Sequence, residues 1–305
     1  MTATASVVVV GSCNIDLVAR VPRQPQRGET LTGTAFGTYL GGKGLNQAVA
    51  ARRMGASVAM IGSVGADDFG TRIAQALQDE AIDATFVRAS REQPTGTAVI
   101  LVEEGGENSI VVIPGANGAL TTAAIDQAAD LIRAAKVLLL QLEVPLETTL
   151  YAAQVARAAG TTVILTPAPA QRLPAELLAA TDVLVPNAIE VAHVLDSDAP
   201  PAEAARMLLS RGCGAVVVTL GAQGALLVTP DAERSIAAFP VAAVDTVGAG
   251  DAFVGALGAS LAEGHDLTTA LRYASAAGAL AVTQEGAVPS LPLRATVERL
   301  LQEQG

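Results

Sequence analysis

The segment Val244–Phe253 reads VDTVGAGDAF, and its pattern decides how the rest of the chain is interpreted. We predict that it closes a strand, passes through two glycines and opens a long helix. Backbone N–H groups in the first turn of a helix have no partner within the helix and lie at the positive end of its dipole, so small residues there let an anion approach the main chain. The sequence therefore predicts an anion hole at Gly248, Ala249 and Gly250.

Asp251 follows this anion hole directly. A carboxylate at the start of the helix could accept the proton of a substrate hydroxyl while the neighbouring N–H groups stabilise charge on a transferring phosphoryl group. On spacing alone, the alternative is a glycine-rich turn in which Asp251 is an ordinary helix-capping residue. The other motifs of the chain decide between these two interpretations.

Two motifs near the start of the chain also join strands to polar groups. Residues Gly41–Gln47 read GGKGLNQ, which departs from the GxxxxGK[ST] phosphate loop and could by itself be a tight turn. Residues Gly11–Asp16 read GSCNID, so a buried strand ends in Asn14 and Asp16, whose side chains suit vicinal hydroxyls. Such groups at the carboxyl ends of parallel strands are typical of a ligand site.

Two later strand ends, Pro186–Glu190 and Thr219–Gly224, carry polar residues or glycines. Each alone is more often a cap or a turn, but their joint occurrence with the earlier motifs favours a shared site.

From about residue 130, β-branched runs alternate with amphipathic stretches, which predicts a parallel sheet with helices on both faces. The predicted strands are Lys136–Gln141, Thr161–Thr166, Asp182–Val185 and Ala215–Leu220, and the predicted helices are 147–159, 174–180, 187–196 and 202–211. A strand near 57–62 is assigned to the same sheet, and helices 43–54 and 68–80 are predicted to pack against it. The C-terminal third is predicted to contain helices 249–262 and 268–282, the loop Glu285–Pro292 and a last helix.

Four other segments alternate apolar with polar or small residues, as half-exposed antiparallel strands do. They are Asp16–Val21, Thr30–Leu40, Gly96–Glu103 and Asn108–Pro114, the last two joined by a turn at Glu104–Glu107. We predict that segments 14–40 and 94–115 form a small β lid on a single domain spanning residues 1–305.

The composition excludes several classes of partner. The formal charge of −11 and the lack of a basic patch argue against nucleic acid and against an anionic membrane surface. Val7–Val10 is interpreted as a buried strand rather than a signal peptide, which favours a cytoplasmic protein. Cys13 and Cys213 lie too far apart, without a nearby histidine pair, to indicate a zinc site or a disulfide framework.

Taken in order, these motifs, together with Thr166–Ala170 and Gln141–Glu143, closely resemble the ribokinase-like (PfkB) family of carbohydrate kinases. The resemblance runs over roughly residues 6 to 300. It implies an α/β ribokinase-like fold, with a central, mostly parallel sheet, helices on both faces and a small β-sheet lid.

The resemblance also implies an activity, the ATP-dependent phosphorylation of D-ribose at its 5-hydroxyl to give D-ribose 5-phosphate and ADP. Asp251 would be the base, beside the anion hole. The sugar would be held by Asn14, Asp16, Gly42, Lys43, Asn46, Glu143 and Asp251. The nucleotide and its Mg²⁺-bound phosphates would lie against Asn187, Glu190, Thr219, Gly221, Gly224, Gly250 and Ser275. An activating K⁺ would be held by Asp245, Val247, Ala281, Gln284, Gly286 and Ser290. The lid would form a homodimer contact.

Other functions stay open at this point. Deoxyribose, fructose, ketodeoxygluconate or adenosine could replace ribose, although 3% aromatic residues and no Trp supply a base-stacking pocket poorly. A non-catalytic sugar-binding sensor would have no need of a base at Asp251. A dinucleotide-binding dehydrogenase is disfavoured because the first strand leads into GSCN rather than GxGxxG.

Overall fold

The computed structural model describes residues 5–105 and 107–304, so Gly106 of the predicted turn at Glu104–Glu107 lies outside the described residues. The strands are β1 Val7–Val10, β2 Asn14–Val21, β3 Ala35–Gly41, β4 Val58–Gly65, β5 Asp83–Ser90, β6 Gly96–Glu103, β7 Asn108–Ile113, β8 Val137–Leu140, β9 Thr162–Leu165, β10 Val183–Leu184, β11 Ala215–Thr219, β12 Ala225–Val228 and β13 Glu233–Ile236. The helices are α1 Lys43–Arg53, α2 Asp68–Asp79, α3 Thr122–Gln127, α4 Ala129–Ala134, α5 Leu146–Ala159, α6 Ala175–Ala179, α7 Ala188–Leu195, α8 Pro201–Ser210, α9 Ala249–Glu263, α10 Leu267–Ala281, α11 Ala287–Ser290 and α12 Arg294–Gln304.

The main sheet has nine strands in the order β13-β12-β11-β10-β9-β8-β1-β4-β5. The strands from β5 to β11 along this order are parallel, and β12 and β13 are added antiparallel at one edge. The fully buried β1 pairs with β4 on one side and β8 on the other, which explains why its four residues are all valine.

Alternate side chains of β1 enter two separate cores. Val7 and Val9 pack with residues of α1, α2, α9, α10 and α12 on one face of the sheet. Val8 and Val10 pack with residues of α3 to α8 on the other face. Helices therefore cover both faces, and the predicted fold class is confirmed.

The small sheet has the strand order β3-β2-β6-β7. The hairpin partners β2–β3 and β6–β7 are antiparallel, as predicted, but β2 and β6 run parallel to each other. The reason is the intervening chain, because the polypeptide passes through α1, β4, α2 and β5 of the main layers before it returns as β6. We refer to these four strands as the lid sheet.

The strand predicted at the start of Val244–Phe253 is wrong, since no strand leads into Gly248. Strand β13 ends at Ile236, and residues 237–247 are irregular. Pro240 has no backbone N–H to give to a sheet, and the N–H groups of Val244 and Asp245 both donate to the carbonyl oxygen of Val282, at 2.7 and 3.2 Å. The loop after α10, and not the sheet, therefore holds this segment.

Some other boundaries also differ from expectation. Strand β3 begins at Ala35 rather than Thr30, and the predicted loop Glu285–Pro292 contains the short α11. The strands β5, β12 and β13 and the helices α3 and α4 were not predicted. Among the described residues, no helix has the length and apolar character needed to cross a membrane.

The close contact between α1 and α9 sets the position of the site. An added Cβ at Gly255 would lie 2.4 Å from the Cβ of Ala50, so only glycine lets the two helices approach this far. The first turns of α1 and α9 consequently lie side by side, which brings Asn46 next to Asp251 although 205 residues separate them.

Candidate active site

A cavity of about 500 Å³ lies between the lid sheet and the first turns of α1 and α9. The residues predicted for the site that line it are Asn14, Asp16, Gly42, Lys43, Asn46, Glu143, Asp245, Val247, Gly248, Asp251 and Gly286. Apolar side chains of the lid sheet, including Val18, Ile100 and Val112, form part of its wall. The structure thus brings all the predicted sugar-binding residues to one cavity.

Asp251 lies in the first turn of α9 with only 7% of its surface exposed. The amide Nδ2 of Asn46 donates to its Oδ2 at 2.9 Å, and the amide Nε2 of Gln47 donates to its Oδ1 at 3.0 Å. Neutral donors satisfy a buried carboxylate without giving it a proton, so the arrangement suits a base. Gln47 was part of a quoted motif but was not predicted as a site residue.

Glu143 connects the start of α1 to the end of β1. Its Oε2 accepts a hydrogen bond from the backbone N–H of Lys43 at 2.9 Å and a very short one from the hydroxyl of Ser12. Gly42 has a φ of 90°, and an added Cβ there would lie 2.8 Å from the backbone nitrogen of Asn14. The predicted GGKG turn is therefore needed for close packing against the polar strand end.

Asn117 was not predicted, yet it fixes Asn14. Its Nδ2 donates to Oδ1 of Asn14 at 2.7 Å, and its amide also exchanges hydrogen bonds with the backbone N–H and carbonyl of Cys13. The side chain of Asn117 is buried in a 3₁₀ turn, Gly115–Ala119. Only an amide, with both a donor and an acceptor, can make this set of contacts.

Several charges share the cavity. Burial, with the nearby carboxylates of Glu143 and Asp251, raises the pKa of Asp16 to about 6. Burial alone would lower the pKa of Lys43, but the carboxylates of Asp251, Glu143 and Glu190 outweigh it and raise that pKa. The positive charge of Lys43 therefore offsets part of the negative charge of these carboxylates.

The predicted anion hole has the required space. Gly248 takes the left-handed conformation, with φ 79°, and an added Cβ would lie 3.1 Å from the Cα of Ala287. At Gly250 an added Cβ would meet no atom within 4 Å, so the space beside the first turn of α9 is open. An anion could approach the N–H groups of Ala249 and Gly250 there.

The residues predicted to hold K⁺ lie in two groups, of which one lines the cavity (Asp245, Val247 and Gly286) and the other does not (Ala281, Gln284 and Ser290). Asp245 accepts from the N–H of Val247 at 3.0 Å and from the N–H of Gly286 at 2.9 Å, which joins its loop to the loop after α10. Ala281 is fully buried, and the hydroxyl of Ser290 donates to the carbonyl of Ala287 at 2.8 Å.

Gln284 and Ser290 line a second cavity, of about 540 Å³, behind this loop. Within residues 5–105 and 107–304, no three His, Cys, Asp or Glu side chains are grouped to bind a metal.

The residues predicted for the nucleotide are not among those that line the cavity, although Gly250 belongs to the predicted anion hole beside it. Asn187 and Glu190 form a capping box at the start of α7, and Asn187 bridges to Thr219 at the end of β11. Burial raises the pKa of Glu190, although the Asn187 N–H and Lys43 oppose it. The structure thus places α7 and β11 side by side, with Glu190 near enough to Lys43 to raise its pKa.

Three other predicted residues differ in their surroundings. Gly221 has φ 57° and open space around it, whereas an added Cβ at Gly224 would lie 2.0 Å from the carbonyl oxygen of Ile236, so Gly224 is required by packing. The hydroxyl of Ser275, buried in α10, has no hydrogen-bond partner in the described part of the chain.

Known proteins resemble the chain along nearly its whole length. The model of the pfkB family carbohydrate kinases matches residues 4–294. The chain is 40% identical over 294 residues to a ribokinase of Haemophilus influenzae, covering 95% of this chain and 96% of that protein. It is 38% identical over 291 residues to a deoxyribokinase of Salmonella typhi, covering 94% and 95%. A solved structure of Arabidopsis thaliana ribokinase complexed with ribose and ATP matches with a TM-score of 0.92 and 34% identity, covering 98% of this chain and 99% of that one.

Proposed function

The chain belongs to the pfkB family of carbohydrate kinases, and on that premise we propose that it phosphorylates D-ribose at the 5-hydroxyl with ATP, giving D-ribose 5-phosphate and ADP. The observation that carries the proposal is Asp251, a buried carboxylate held by two neutral amides beside an open helix start, in a cavity lined with hydroxyl-binding groups. The ribokinases among the relatives support ribose as the substrate.

In this proposal the residues of the chain divide the work. Asp251 accepts the proton of the 5-hydroxyl as that oxygen attacks the γ-phosphorus. The N–H groups of Ala249 and Gly250 stabilise the charge on the transferring group. Asp16 and Asn14 accept hydrogen bonds from the other sugar hydroxyls, which orients the reacting oxygen.

ATP with Mg²⁺ supplies the phosphoryl group. Asn187 and Glu190 border its phosphates in this proposal, and Lys43 balances the negative charge of the cavity. The consumption of ATP also favours a cytoplasmic location.

We include an activating K⁺ in the proposal. Asp245 already joins the 245–251 loop to Gly286 through its two oxygens. A cation on Asp245 and nearby carbonyls would stiffen the loop whose N–H groups form the anion hole.

The proposal extends to a homodimer formed through the lid sheet. Val99 and Val111 are direct partners across β6 and β7, and they are 39% and 62% exposed. Phe36 on β3 is 69% exposed. Exposed apolar side chains of this kind on one small sheet mark an interaction surface, and a second copy of the chain is the partner we propose.

Deoxyribose is the second candidate substrate, because a deoxyribokinase is nearly as similar to the chain as the ribokinases are. The test is a coupled assay of ADP release with Mg-ATP and ribose, deoxyribose, fructose, ketodeoxygluconate or adenosine, each with K⁺ or with Na⁺. The highest kcat/KM with ribose, increased by K⁺, supports the proposal. A higher kcat/KM with deoxyribose moves the specificity and keeps the chemistry. Ribose binding without turnover of any sugar favours the sensor.

A further inference from the structure

Two buried amides form a hydrogen-bonded chain that ends on Asp251. Gln47 and Gln141 are both 0% exposed, and neither is among the residues that line the cavity. The Nε2 of Gln141 donates to Oε1 of Gln47 at 2.6 Å, and the Nε2 of Gln47 donates to Oδ1 of Asp251 at 3.0 Å. Asp251, which does line the cavity, therefore lies between these two amides and the cavity.

The carboxylate fixes the direction of both amides. An ionised carboxylate only accepts hydrogen bonds, so Gln47 must present its NH₂ to Asp251 and its oxygen to Gln141. Gln141 must then present its own NH₂ to that oxygen, since the opposite orientation would bring two acceptor oxygens together. The second N–H of Gln47 is occupied as well, because Nε2 also donates to the hydroxyl of Thr166 at 3.3 Å.

At the end of this hydrogen-bonded series farthest from Asp251, the fixed orientation of the amides leaves one polar atom unsatisfied. The Oε1 of Gln141 is buried and has no hydrogen-bond partner among the described residues. An added Cβ at Gly11 would lie 2.0 Å from this oxygen, so Gly11 provides the space in which it lies. An unsatisfied buried acceptor is unfavourable, and the interactions nearer Asp251 offset it here.

We propose that Gln47 and Gln141 are positioning residues that act in series as an amide relay: they hold Asp251 in the orientation in which it receives the substrate proton. The inference rests on the proposed kinase function. Asn46 holds the other oxygen, Oδ2, but it also lines the cavity, and its own Oδ1 has no hydrogen-bond partner among residues 5–105 and 107–304, so it is placed to contact the sugar as well. The relay is the part of the support that does not touch substrate.

The test compares steady-state kinetics of Gln47→Met, Gln141→Met and the double variant, since Met keeps the length of the side chain and removes the amide. We expect Gln47→Met to lower kcat by about 10- to 100-fold, because small displacements of a catalytic group have effects of this size. The KM values for ribose and ATP should stay within about threefold of wild type. Gln141→Met should lower kcat less, by roughly 3- to 10-fold.

The double variant separates a relay from two independent packing effects. If the residues act in series, the double variant is no slower than Gln47→Met, whereas independent effects would multiply. The matched control is Gln75→Met on α2, where an exposed amide donates to Asp79 at 2.8 Å and no change in kcat is expected.

Gln47→Glu tests the relay with a side chain of nearly the same shape. Its carboxyl would lie about 3 Å from Asp251 and share a proton with it. In a plot of kcat against pH, the decrease on the acidic side should therefore occur about one pH unit or more higher than in the wild type. The other charged groups facing this pair are Lys43, Glu143, Asp16 and Glu190, and they are unchanged in the variant.

The outcomes distinguish the relay from the kinase function itself. A wild-type chain that phosphorylates ribose, with Gln47→Met within about twofold of its kcat, overturns the relay alone; so does a double variant whose loss is the product of the single losses. A wild-type chain that phosphorylates no sugar overturns the proposed function and the relay together. Should Gln47→Met fail to fold, the pH dependence of kcat in Gln47→Glu is the deciding measurement. If kcat then decreases at the same acidic pH as in the wild type, the relay is overturned.

Discussion

Protonation of Asp16 should control sugar affinity at mildly acidic pH. Its pKa is raised to about 6, chiefly by burial and also by Glu143 and Asp251. A group with this pKa is about 99% ionised near pH 8 and about 10% ionised near pH 5. If the ionised form accepts the hydrogen bonds of the sugar hydroxyls, the affinity for ribose should fall about tenfold over that range.

The assay is calorimetric titration of ribose into the protein at a series of pH values, without ATP, so that the chemical step does not contribute. The control is Asp16→Asn, which keeps the shape of the side chain and removes the titration. We expect weak binding with little dependence on pH in that variant. A wild-type affinity that stays constant from about pH 8 to pH 5, or an equal decrease in Asp16→Asn, would refute the reasoning.

The same pKa has a consequence for stability. Because the carboxyl binds its proton more tightly in the folded chain than in the unfolded chain, the free energy of unfolding should fall as the pH rises from about 4 to about 6. The full difference of about two pH units corresponds to ~3 kcal/mol, which partial exposure to solvent reduces to about 1–2 kcal/mol. The unliganded Asp16→Asn variant should therefore be the more stable protein near pH 8, as measured by denaturant unfolding.

Three further predictions concern the base, the cation and the lid. Asp251→Asn should lower kcat by about 100-fold or more while ribose still binds in calorimetry; unchanged turnover would remove Asp251 from the mechanism. Asp245→Asn should weaken activation by K⁺ when the rate is titrated against the ion at constant ionic strength, and an unaltered K⁺ response would exclude this site. Val111→Glu should convert a dimer to a monomer in light scattering after size exclusion, since it places a charge on the exposed lid face; a dimer that persists would place the contact elsewhere.

The sequence predicted those parts of the site that depend on local backbone geometry. Gly42 and Gly248 have positive φ values, and a turn that needs such values selects glycine wherever it occurs. The polar ends of strands were equally predictable, since parallel strands bring their carboxyl ends to one edge. These rules predicted Asn14 and Asp251 as candidate site residues, whereas the role of Lys43 was predicted only from the family resemblance.

The residues that support the site from behind could not be predicted in this way. Asn117 contacts a backbone group 104 residues away, and Gln141 contacts a side chain 94 residues away. Although Gln141 lies in a motif of the family resemblance, no local pattern predicts either contact. The same limit explains the incorrect strand before Gly248. Its apolar residues 241–244 resemble a strand, but the N–H groups of Val244 and Asp245 donate to the carbonyl of Val282, nearly 40 residues further along the chain.

The glycine contact between α1 and α9 has a consequence for how substrate preference can change. It holds Asp251, Asn46 and Gln47 on two closely packed helices, whereas Asn14 and Asp16 belong to β2, a strand of the lid sheet. Two of the predicted sugar contacts, Asn14 and Asp16, therefore lie on a different layer from Asp251, whereas Lys43 and Asn46 lie on α1 beside it. Substitutions in β2 and β6 could retune the protein toward a different sugar while the machinery on the two helices stays as it is, which makes the lid strands the place to begin when redesigning specificity.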